Sequence, residues 1–415
     1  MPRAGLCAGA RLSRVRAPSR ALIDLDAVRS NVAVLTELAA RGGSAQVMAV
    51  VKADAYGHGL VPSARAALAG GATWLGVAQA VEALELRTAG ITAPVLTWLY
   101  KPGEPLDALV AAGVDVSVSG GAALIQVLDA ARATGRTARI HVKVDTGLGR
   151  GGVLPVELPA LLDAAVAAQA EGAVEVVGIW SHLAWADAPD HPTVHAQTGV
   201  FADAVALAER AGAHLEVRHL ANSAATLTNP AMAFDMVRPG LAVFGLSPVP
   251  QLGGPERFGL VPAMRLEADL VLTKAVPGGH GVSYGHEYVT PGRTVLGVVP
   301  LGYADGVPRH ASGLAGLLGA PVQVGGRRLG VAGRVCMDQF VVDLGPGAVE
   351  VAGDVVVLFG SGADGEPTAE DWAQACGTIS YEIVTRLGVR VPREYRGAPD
   401  LLAAAGVGPR TGEAA

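Results

Sequence analysis

Short β-rich runs alternate with alanine- and leucine-rich stretches through the first two-thirds of the chain. Most of the intervening stretches have helical spacing, and several end in glycine, as helices often do. Eight such units over roughly 220 residues predict a (β/α)8 barrel rather than an open doubly wound sheet. No GxGxxG follows the first run, which also disfavours a dinucleotide-binding fold. The eight runs are QVMAVVKA (46–53), TWLGVA (73–78), PVLTWL (94–99), VDVSVS (114–119), ARIHVKVDT (138–146), VEVVGIWSHL (174–183), LEVRHLANS (215–223) and FDMVRPGLAVFG (234–245).

The last third of the chain has a different texture. After about residue 255, valine-rich runs are separated by Gly, Pro and Asp turns, with little helix before ISYEIVTRL (379–387). This pattern predicts a mostly antiparallel β domain. The run SRALIDLD (19–26) could belong to either domain. We therefore expect a flexible leader over 1–20, a barrel over 21–255, a β-rich domain over 256–395 and a flexible tail over 396–415.

Composition excludes several classes of protein. Half of the 415 residues are hydrophobic and 17% are charged, so the chain can bury a large core. A net charge of −6 argues against a nucleic-acid-binding protein. Its three cysteines (Cys7, Cys336 and Cys376) lack CxxC or zinc-ligand spacing, which disfavours a disulfide scaffold or metal site and fits the reduced cytoplasm. No apolar run approaches the roughly 18–20 residues that span a bilayer.

Polar side chains cluster where the predicted strands end, the edge that forms the active-site mouth of a barrel. Lysine is rarely buried, so Lys52 in an apolar strand is unusual. Two interpretations remain open: a lysine that extends to the rim or pairs with a carboxylate, or an imine-forming lysine with a depressed pKa. The polar residues at the ends of the other strands favour the imine-forming lysine. The polar residues at these strand ends are Lys52, Tyr56, Lys143, Asp145, Arg150, His182, His219, Asn222, Ser223, Arg238 and Gly240.

Nine motifs extend this pattern across both predicted domains. In order they are VVKADAYGHG, KVDTGLGR, SHLAWAD, ANSAA, MVRPGLAVFG, VSYGHEY, GYADG, GRVCMDQ and ISYEIVTRLGVRVPR. The set resembles that of the alanine racemases, fold-type III enzymes that use pyridoxal 5′-phosphate. The resemblance runs from about residue 20 to 395. A single motif would be weak evidence, but nine in order are specific.

The resemblance implies a cofactor site in the barrel. Lys52 matches the lysine that binds pyridoxal phosphate covalently and then acts as a catalytic base. Arg238 matches the arginine at the pyridine nitrogen, where a permanent cation disfavours ring protonation. The other residues implied to bind the cofactor are Tyr56, His182, Asn222, Ser223, Gly240, Leu241 and Tyr381.

Further residues are implied to act on the substrate. Arg150 matches the residue that pairs with the substrate carboxylate, a task that suits a guanidinium fork. Lys143 matches a position that is often carbamylated; an unmodified lysine bonded to Asp145 is the alternative. Tyr303, Cys336 and Met337 resemble residues that narrow the substrate entrance, with the Met337 amide near the carboxylate.

The second base is implied to come from the β domain of a partner subunit. Tyr284 in VSYGHEY matches this tyrosine, so the resemblance implies a homodimer with shared sites. His182, Arg238 and His219 fit a relay from this tyrosine to the pyridine nitrogen. His286 and Glu287 follow SYG where small or hydroxyl residues are common in the family, and they change the polarity beside the tyrosine.

The function implied is interconversion of L- and D-alanine by two bases, which supplies D-alanine for cell-wall peptidoglycan in the cytoplasm. A racemase of broader or serine specificity is an alternative, because one methyl or hydroxyl is discriminated by only about 1–3 kcal/mol. A decarboxylase of similar architecture would leave VSYGHEY and GRVCMDQ unexplained. A non-catalytic cofactor-carrier barrel would leave the whole β domain unexplained.

Overall fold

The computed structural model describes residues 17–41 and 43–397. These residues form two compact units. The first, the barrel unit, is Leu22–Arg265 with Thr378–Arg386 and the described residues from Tyr395 onward. The second, the β unit, is Leu266–Gly377 with Leu387–Glu394 and the described residues up to Ala21. Most of the expected leader and tail lies outside the described residues.

Eight parallel strands build the barrel unit, as predicted. From β2 to β8 each strand pairs with the next along the chain, and the last strand, β9, pairs with β2. An isolated bridge between Asn222 and Arg238 joins the two ends of the sheet. After β1 (Ser19–Asp24) these strands are β2 (Gln46–Val50), β3 (Trp74–Gln79), β4 (Val95–Leu99), β5 (Asp115–Val118), β6 (Ala138–Lys143), β7 (Val174–Trp180), β8 (Val217–His219) and β9 (Met236–Val237).

Helices connect these strands and follow the predicted start and stop signals. Two of them, Leu158–Ala170 and Pro192–Ala211, carry proline in the first turn, where its missing N–H has no intrahelical partner. Gly135 and Gly212 end helices in the left-handed conformation that glycine adopts readily. The other α-helices between these strands include Leu25–Arg41, Leu60–Ala69, Ala80–Thr88, Asp107–Ala111, Gly121–Thr134 and Ser223–Thr228, and a short helical turn, Lys52–Tyr56, follows β2. No helix in the described ranges is long and apolar enough to cross a membrane.

One section of the barrel interior is apolar. Met48, Trp74, Leu96, Val217 and Met236 pack together as one buried cluster drawn from five strands. This filling follows from strands that are buried on both faces and therefore read as near-continuous apolar runs. It closes the interior, so the polar side chains found at the ends of these strands surround a cavity there rather than a pore.

The β unit is mostly antiparallel, as predicted. Its largest sheet has six strands in the order β16-β15-β18-β10-β1-β19, beside a three-stranded sheet β11-β14-β17 and the pair β12-β13. Their bounds are β10 (Met264–Asp269), β11 (Leu272–Val276), β12 (Gly281–Val282), β13 (Tyr288–Val289), β14 (Thr294–Val299), β15 (Pro321–Val324), β16 (Arg327–Gly330), β17 (Phe340–Gly345), β18 (Val355–Phe359) and β19 (Arg393–Arg396).

Three details differ from the expected boundaries. Strand β1 begins at Ser19, inside the expected leader, because buried Arg20 pairs with Glu267 at 2.5 Å. A helix over Ala369–Cys376 precedes ISYEIVTRL, and the Thr368 side chain caps its first turn. The next helix, Ser380–Thr385, groups with the barrel unit rather than with the β unit.

Candidate active site

A cavity of about 750 Å³ opens at the C-terminal ends of the barrel strands. Four cationic side chains line it: Lys52, Lys143, Arg150 and Arg238. Among the described residues that line it there is no carboxylate. The cavity is therefore suited to an anionic ligand. The other predicted site residues that line it are Tyr56, His182, Asn222, Ser223, Gly240, Leu241 and Tyr381.

One turn of left-handed helix follows Lys52, shortly after β2 ends at Val50. The four residues that follow Lys52, Ala53 to Tyr56, have φ values between 53° and 55°. This conformation costs roughly 1–2 kcal/mol for each non-glycine residue. Such strain persists only where surrounding contacts over-determine it, and it concentrates at functional sites.

Side chains hold this left-handed turn from both ends. The Nδ1–H of His58 donates to the carbonyl oxygens of Ala55 and Tyr56, both at 3.0 Å. The Glu82 carboxylate accepts the Ala53 amide at 2.6 Å. Burial, and then the charge of Arg150, lowers the pKa of Lys52, while the charge of Glu82 raises it. Lys52 is therefore a stronger candidate for a neutral amine at physiological pH than an exposed lysine.

Ser223 and Gly240 form a small cradle at one end of the cavity. The amides of Gly240 and Ala242 both donate to Ser223 Oγ, at 2.8 and 3.3 Å. A Cβ on Gly240 would lie 2.1 Å from the Tyr56 hydroxyl, so only glycine fits there. Burial, and then Tyr381, raises the pKa of Tyr56, whose phenol is therefore a neutral donor. Because the two amides fix Ser223 Oγ, the cradle presents the hydroxyl groups of Ser223 and Tyr56 to an anion.

Arg238 is a nearly buried part of the cavity wall and contacts both predicted histidines. Its Nη1 lies 3.2 Å from His219 Nδ1, and its Nη2 lies 3.4 Å from His182 Nδ1. Nη2 also donates to the Ser181 carbonyl at 2.6 Å. Burial lowers the pKa of Arg238 to about 9, which leaves the guanidinium charged at neutral pH. Burial, and then Arg238, holds the pKa of both histidines well below the usual range, so both are neutral.

Two further buried residues extend this contact across the barrel. His219 Nε2 lies 2.9 Å from His141 Nδ1, and His141 Nε2 lies 3.1 Å from Asp115 Oδ2. Because a guanidinium only donates, the hydrogen bonds run in one direction from Arg238 to Asp115. Asp115 and His141 were not predicted from the sequence. The sequence feature that could have identified them is a charged or titratable residue in each of two otherwise apolar strands.

Trp180, which ends β7, is another residue that the sequence analysis missed. Its ring stacks on His219, with Lys143 Nζ 4.5 Å and Arg238 Cζ 4.9 Å from the ring centre. Two basic side chains therefore lie within cation–π distance of the same Trp180 ring. Burial, and then the charges of Arg150 and Arg238, lowers the pKa of Lys143 to about 8. Asp145 Oδ1 accepts the amides of Gly147, Leu148 and Gly149, which shapes the loop that carries Arg150.

The remaining predicted site residues lie in the β unit. Tyr284, Cys336 and Met337 line a pocket of about 570 Å³, and Tyr284 is 70% exposed. The Tyr303 amide donates to the Cys336 carbonyl at 3.1 Å, so Tyr303 neighbours this pocket. Ser283 Oγ donates to the Arg334 carbonyl at 2.7 Å and lies 3.3 Å from Cys336 Sγ. The structure therefore gathers the predicted residues into two groups, one in each unit.

Comparison with family models matches nearly the whole described chain. Residues 23–248 match the model described as alanine racemase, N-terminal domain, and residues 263–395 match alanine racemase, C-terminal domain. The two matches cover the barrel strands and nearly all of the β unit, including both groups of predicted site residues.

Individual relatives agree with these models. The alanine racemase of Beutenbergia cavernae is 62% identical over 92% of this chain and 99% of its own length. That of Frankia casuarinae is 60% identical over 91% and 96%. The crystal structure of alanine racemase from D-cycloserine producing Streptomyces lavendulae superposes with a TM-score of 0.90 at 56% identity, over 93% of this chain and 99% of that one. Such identity across both units shows that the chain belongs to the alanine racemase family of isomerases.

Proposed function

We propose that the protein interconverts L- and D-alanine with pyridoxal 5′-phosphate held at Lys52, and that Lys52 and Tyr284 are the two bases. The observation that carries this proposal is the cavity lined by four cations and by no carboxylate among its described residues. The cofactor carries a phosphate and the substrate a carboxylate, so a ligand pair of this charge fits the cavity. Pyridoxal phosphate, when bound, withdraws electrons from an attached amino acid and acidifies its Cα–H.

The cradle at Ser223 and Gly240 fits the phosphate. The Ser223 hydroxyl, which the Gly240 and Ala242 amides hold in place, and the neutral Tyr56 phenol can both donate to phosphate oxygens. Tyr381 lies with its ring 6.3 Å from that of Tyr56, and burial raises its pKa to about 12, which keeps it a donor. Asn222 caps the helix Ser223–Thr228 and, together with the Leu241 amide, completes this end.

Arg238 would face the pyridine nitrogen. A charged guanidinium donates a hydrogen bond there and disfavours protonation of the ring. Its Nη1 is held by His219, and its Nη2 is held by the Ser181 and Leu220 carbonyls, so its direction is fixed. His182 adjoins the same guanidinium and lines the cavity. We infer that His182 and His219 position Arg238.

Arg150 would bind the substrate carboxylate, and Lys143 would hold Arg150 in place. Arg150 lines the cavity and suits bidentate pairing with a carboxylate. Lys143, with its pKa lowered to about 8, is partly unprotonated near neutral pH and can react with carbon dioxide. The carbamate would replace a cation beside Arg150 with an anion that pairs with it.

Inversion at Cα requires proton removal on one face and proton return on the other. Lys52 approaches from the barrel strands, and its lowered pKa suits it to take a proton. The partner subunit's Tyr284 would act on the opposite face, with Tyr303, Cys336 and Met337 narrowing the entrance to alanine-sized substrates. The active unit is then a homodimer, and its D-alanine would serve cell-wall peptidoglycan in the cytoplasm.

Covalent trapping tests the cofactor site. Borohydride reduction of the holoenzyme followed by peptide mapping should place the pyridoxyl group on Lys52. Only four lysines compete for the label: Lys52, Lys101, Lys143 and Lys274. A label on Lys143 would overturn the assignment of Lys52 as the cofactor lysine and base.

Mixing inactive chains tests the shared site. Lys52→Ala and Tyr284→Phe chains, each inactive alone, should regain activity when mixed, because a hybrid dimer holds one intact site. Subunit exchange is followed separately by differential labelling. If exchange occurs and no activity returns, the two bases do not come from different subunits.

A further inference from the structure

The carboxylate of Glu82 links the Lys52 turn to the next βα connection. Its Oε1 accepts the Ala53 amide at 2.6 Å, and Ala53 directly follows Lys52. Its Oε2 accepts the amides of Ala78 and Gln79 at 3.0 and 2.9 Å. One side chain therefore binds three backbone donors, one from the turn after β2 and two from the end of β3.

Helix capping explains only part of this arrangement. Glu82 is the third residue of the helix Ala80–Thr88, and a reciprocal bond to the Gln79 amide is the usual capping box. That role occupies Oε2 alone. Oε1 is directed to a residue 29 positions earlier, at the start of the left-handed turn.

Charge gives Glu82 a second connection to Lys52. The cavity side of Lys52 faces cations and neutral groups, and Arg150 and Glu82 act on its charge in opposite senses. Without the Glu82 carboxylate, the charge of Arg150 would still disfavour the protonated form of Lys52, and the opposing effect of Glu82 would be lost. The charged or titratable groups around Lys52 are Glu82, Arg150, Lys143, His182, Arg238, Tyr56 and Tyr381.

We propose that Glu82 is a positioning residue for Lys52, which holds the strained turn after the lysine and supplies the anion that balances its cationic surroundings. This inference rests on the proposed role of Lys52 as cofactor lysine and base. It makes a claim about the lysine itself, which is measurable whether or not the reaction follows the proposed course.

Competitive labelling measures the reactivity of each lysine. The full-length chain, freed of cofactor with hydroxylamine, is treated with trace acetic anhydride between pH 7 and 10. Peptide mass spectrometry then quantifies the four lysines, with exposed Lys101 and Lys274 as references. The variants are Glu82→Gln, which removes the charge, and Glu82→Asp, which keeps it. Asp54→Asn is the matched control, because Asp54 lies in the same turn and accepts the Leu60 amide at 2.8 Å.

The proposal predicts that Glu82→Gln raises Lys52 labelling near neutral pH about three- to tenfold, since one pKa unit changes the unprotonated fraction tenfold. In Glu82→Gln, the labelling of Lys143 should change no more than it does in Asp54→Asn. In Glu82→Asp, the labelling of Lys52 should return towards the wild-type level. Unchanged Lys52 labelling in Glu82→Gln would overturn the proposal and would mean that Glu82 acts only as a helix cap. An equal rise at all four lysines would show general loss of structure and would also overturn the proposal. Neither outcome bears on whether borohydride traps the cofactor at Lys52.

Discussion

Nη1 of Arg238 lies 3.2 Å from Nδ1 of His219, and both side chains are buried in the barrel. A guanidinium has no acceptor, so His219 must accept at Nδ1 and carry its proton on Nε2. Protonation of Nδ1 would place two donors and two cations against each other. The charged state of Arg238 and the neutral state of His219 therefore depend on one another.

This dependence predicts acid sensitivity. His219 and His182 have pKa values held well below the unfolded value near 6.5, chiefly by burial. Below that pH the unfolded chain binds protons that the native chain does not, so stability falls as pH falls. Each histidine contributes up to about 1.4 kcal/mol per pH unit. Urea unfolding between pH 7.5 and 5 should show a shallower pH slope for His219→Gln than for wild type. An unchanged slope would mean that His219 titrates normally.

Gly240→Ala should weaken cofactor binding. The added Cβ would meet the Tyr56 hydroxyl at 2.1 Å and displace one side of the cradle. We expect the Kd for pyridoxal phosphate, measured by fluorescence quenching, to rise about tenfold or more, which corresponds to about 1.4 kcal/mol.

Gly199→Ala is the matched control for this substitution. Gly199 lies inside the helix Pro192–Ala211, and nothing lies within 4 Å of an added Cβ. Alanine there should leave the Kd unchanged and stabilise the helix by up to about 1 kcal/mol. Equal affinity in both variants would show that the cradle does not bind the phosphate.

Lys143 should form a carbamate. Its pKa of about 8 leaves a neutral amine available at pH 8. With ¹³C-bicarbonate, ¹³C NMR should show a carbamate resonance that is lost in Lys143→Ala and kept in Lys101→Ala, which changes an exposed lysine. A resonance that survives Lys143→Ala, or no resonance at all, would favour the unmodified lysine.

The sequence predicted the barrel and the edge that carries its polar residues, because strand periodicity and strand-end position are local properties. The positions of Lys52 and Arg238 at this edge could be predicted for the same reason, because each follows a strand-like run directly. It did not predict the left-handed turn after Lys52, since Ala53 to Tyr56 are residues that rarely adopt positive φ. That conformation depends on Glu82 and His58, and on the packing around them.

The partners of Arg238 show the same limit. His182 and His219 stood out at strand ends, but Asp115 and His141 sit inside apolar strands and face the barrel interior. Their hydrogen bonds join strands that are far apart in sequence. Spacing along one strand cannot reveal which residue on another strand accepts its proton, so this chain of contacts required the folded arrangement.

Glu287, which lies three residues after Tyr284, should affect the Tyr284 turn more than it affects stability. It pairs with Arg334 at 2.6 Å, and the Arg334 carbonyl accepts from Ser283, so Arg334 binds residues on both sides of Tyr284. Because this pair is partly exposed, Glu287→Gln should cost less than about 1 kcal/mol of unfolding free energy. A small displacement of a base can nevertheless slow a reaction, and we expect kcat with L-alanine to fall about tenfold.

The control for Glu287→Gln is Glu350→Gln. Glu350 pairs with Arg327 at the same 2.6 Å in the same unit, and neither residue lines the Tyr284 pocket. Its substitution should leave kcat with either enantiomer close to wild type. Equal loss of kcat in both variants would indicate a general effect on the β unit rather than on Tyr284.

The central claim is that two bases act on opposite faces of the substrate. By the family resemblance, Lys52 takes the proton of D-alanine and Tyr284 that of L-alanine. Tyr284→Phe should therefore lose racemisation in both directions, since each direction uses both groups. Lys52 should still remove and return the α-hydrogen of D-alanine on its own face.

Deuterium wash-in from heavy water, followed by NMR for each enantiomer with the Tyr284→Phe protein, tests this claim most directly. The account predicts continued exchange at D-alanine and a loss of exchange at L-alanine of about 10²–10⁴-fold, the usual effect of removing a general base. An equal loss of exchange at both enantiomers would contradict it, because Tyr284 would then not be a base for one face.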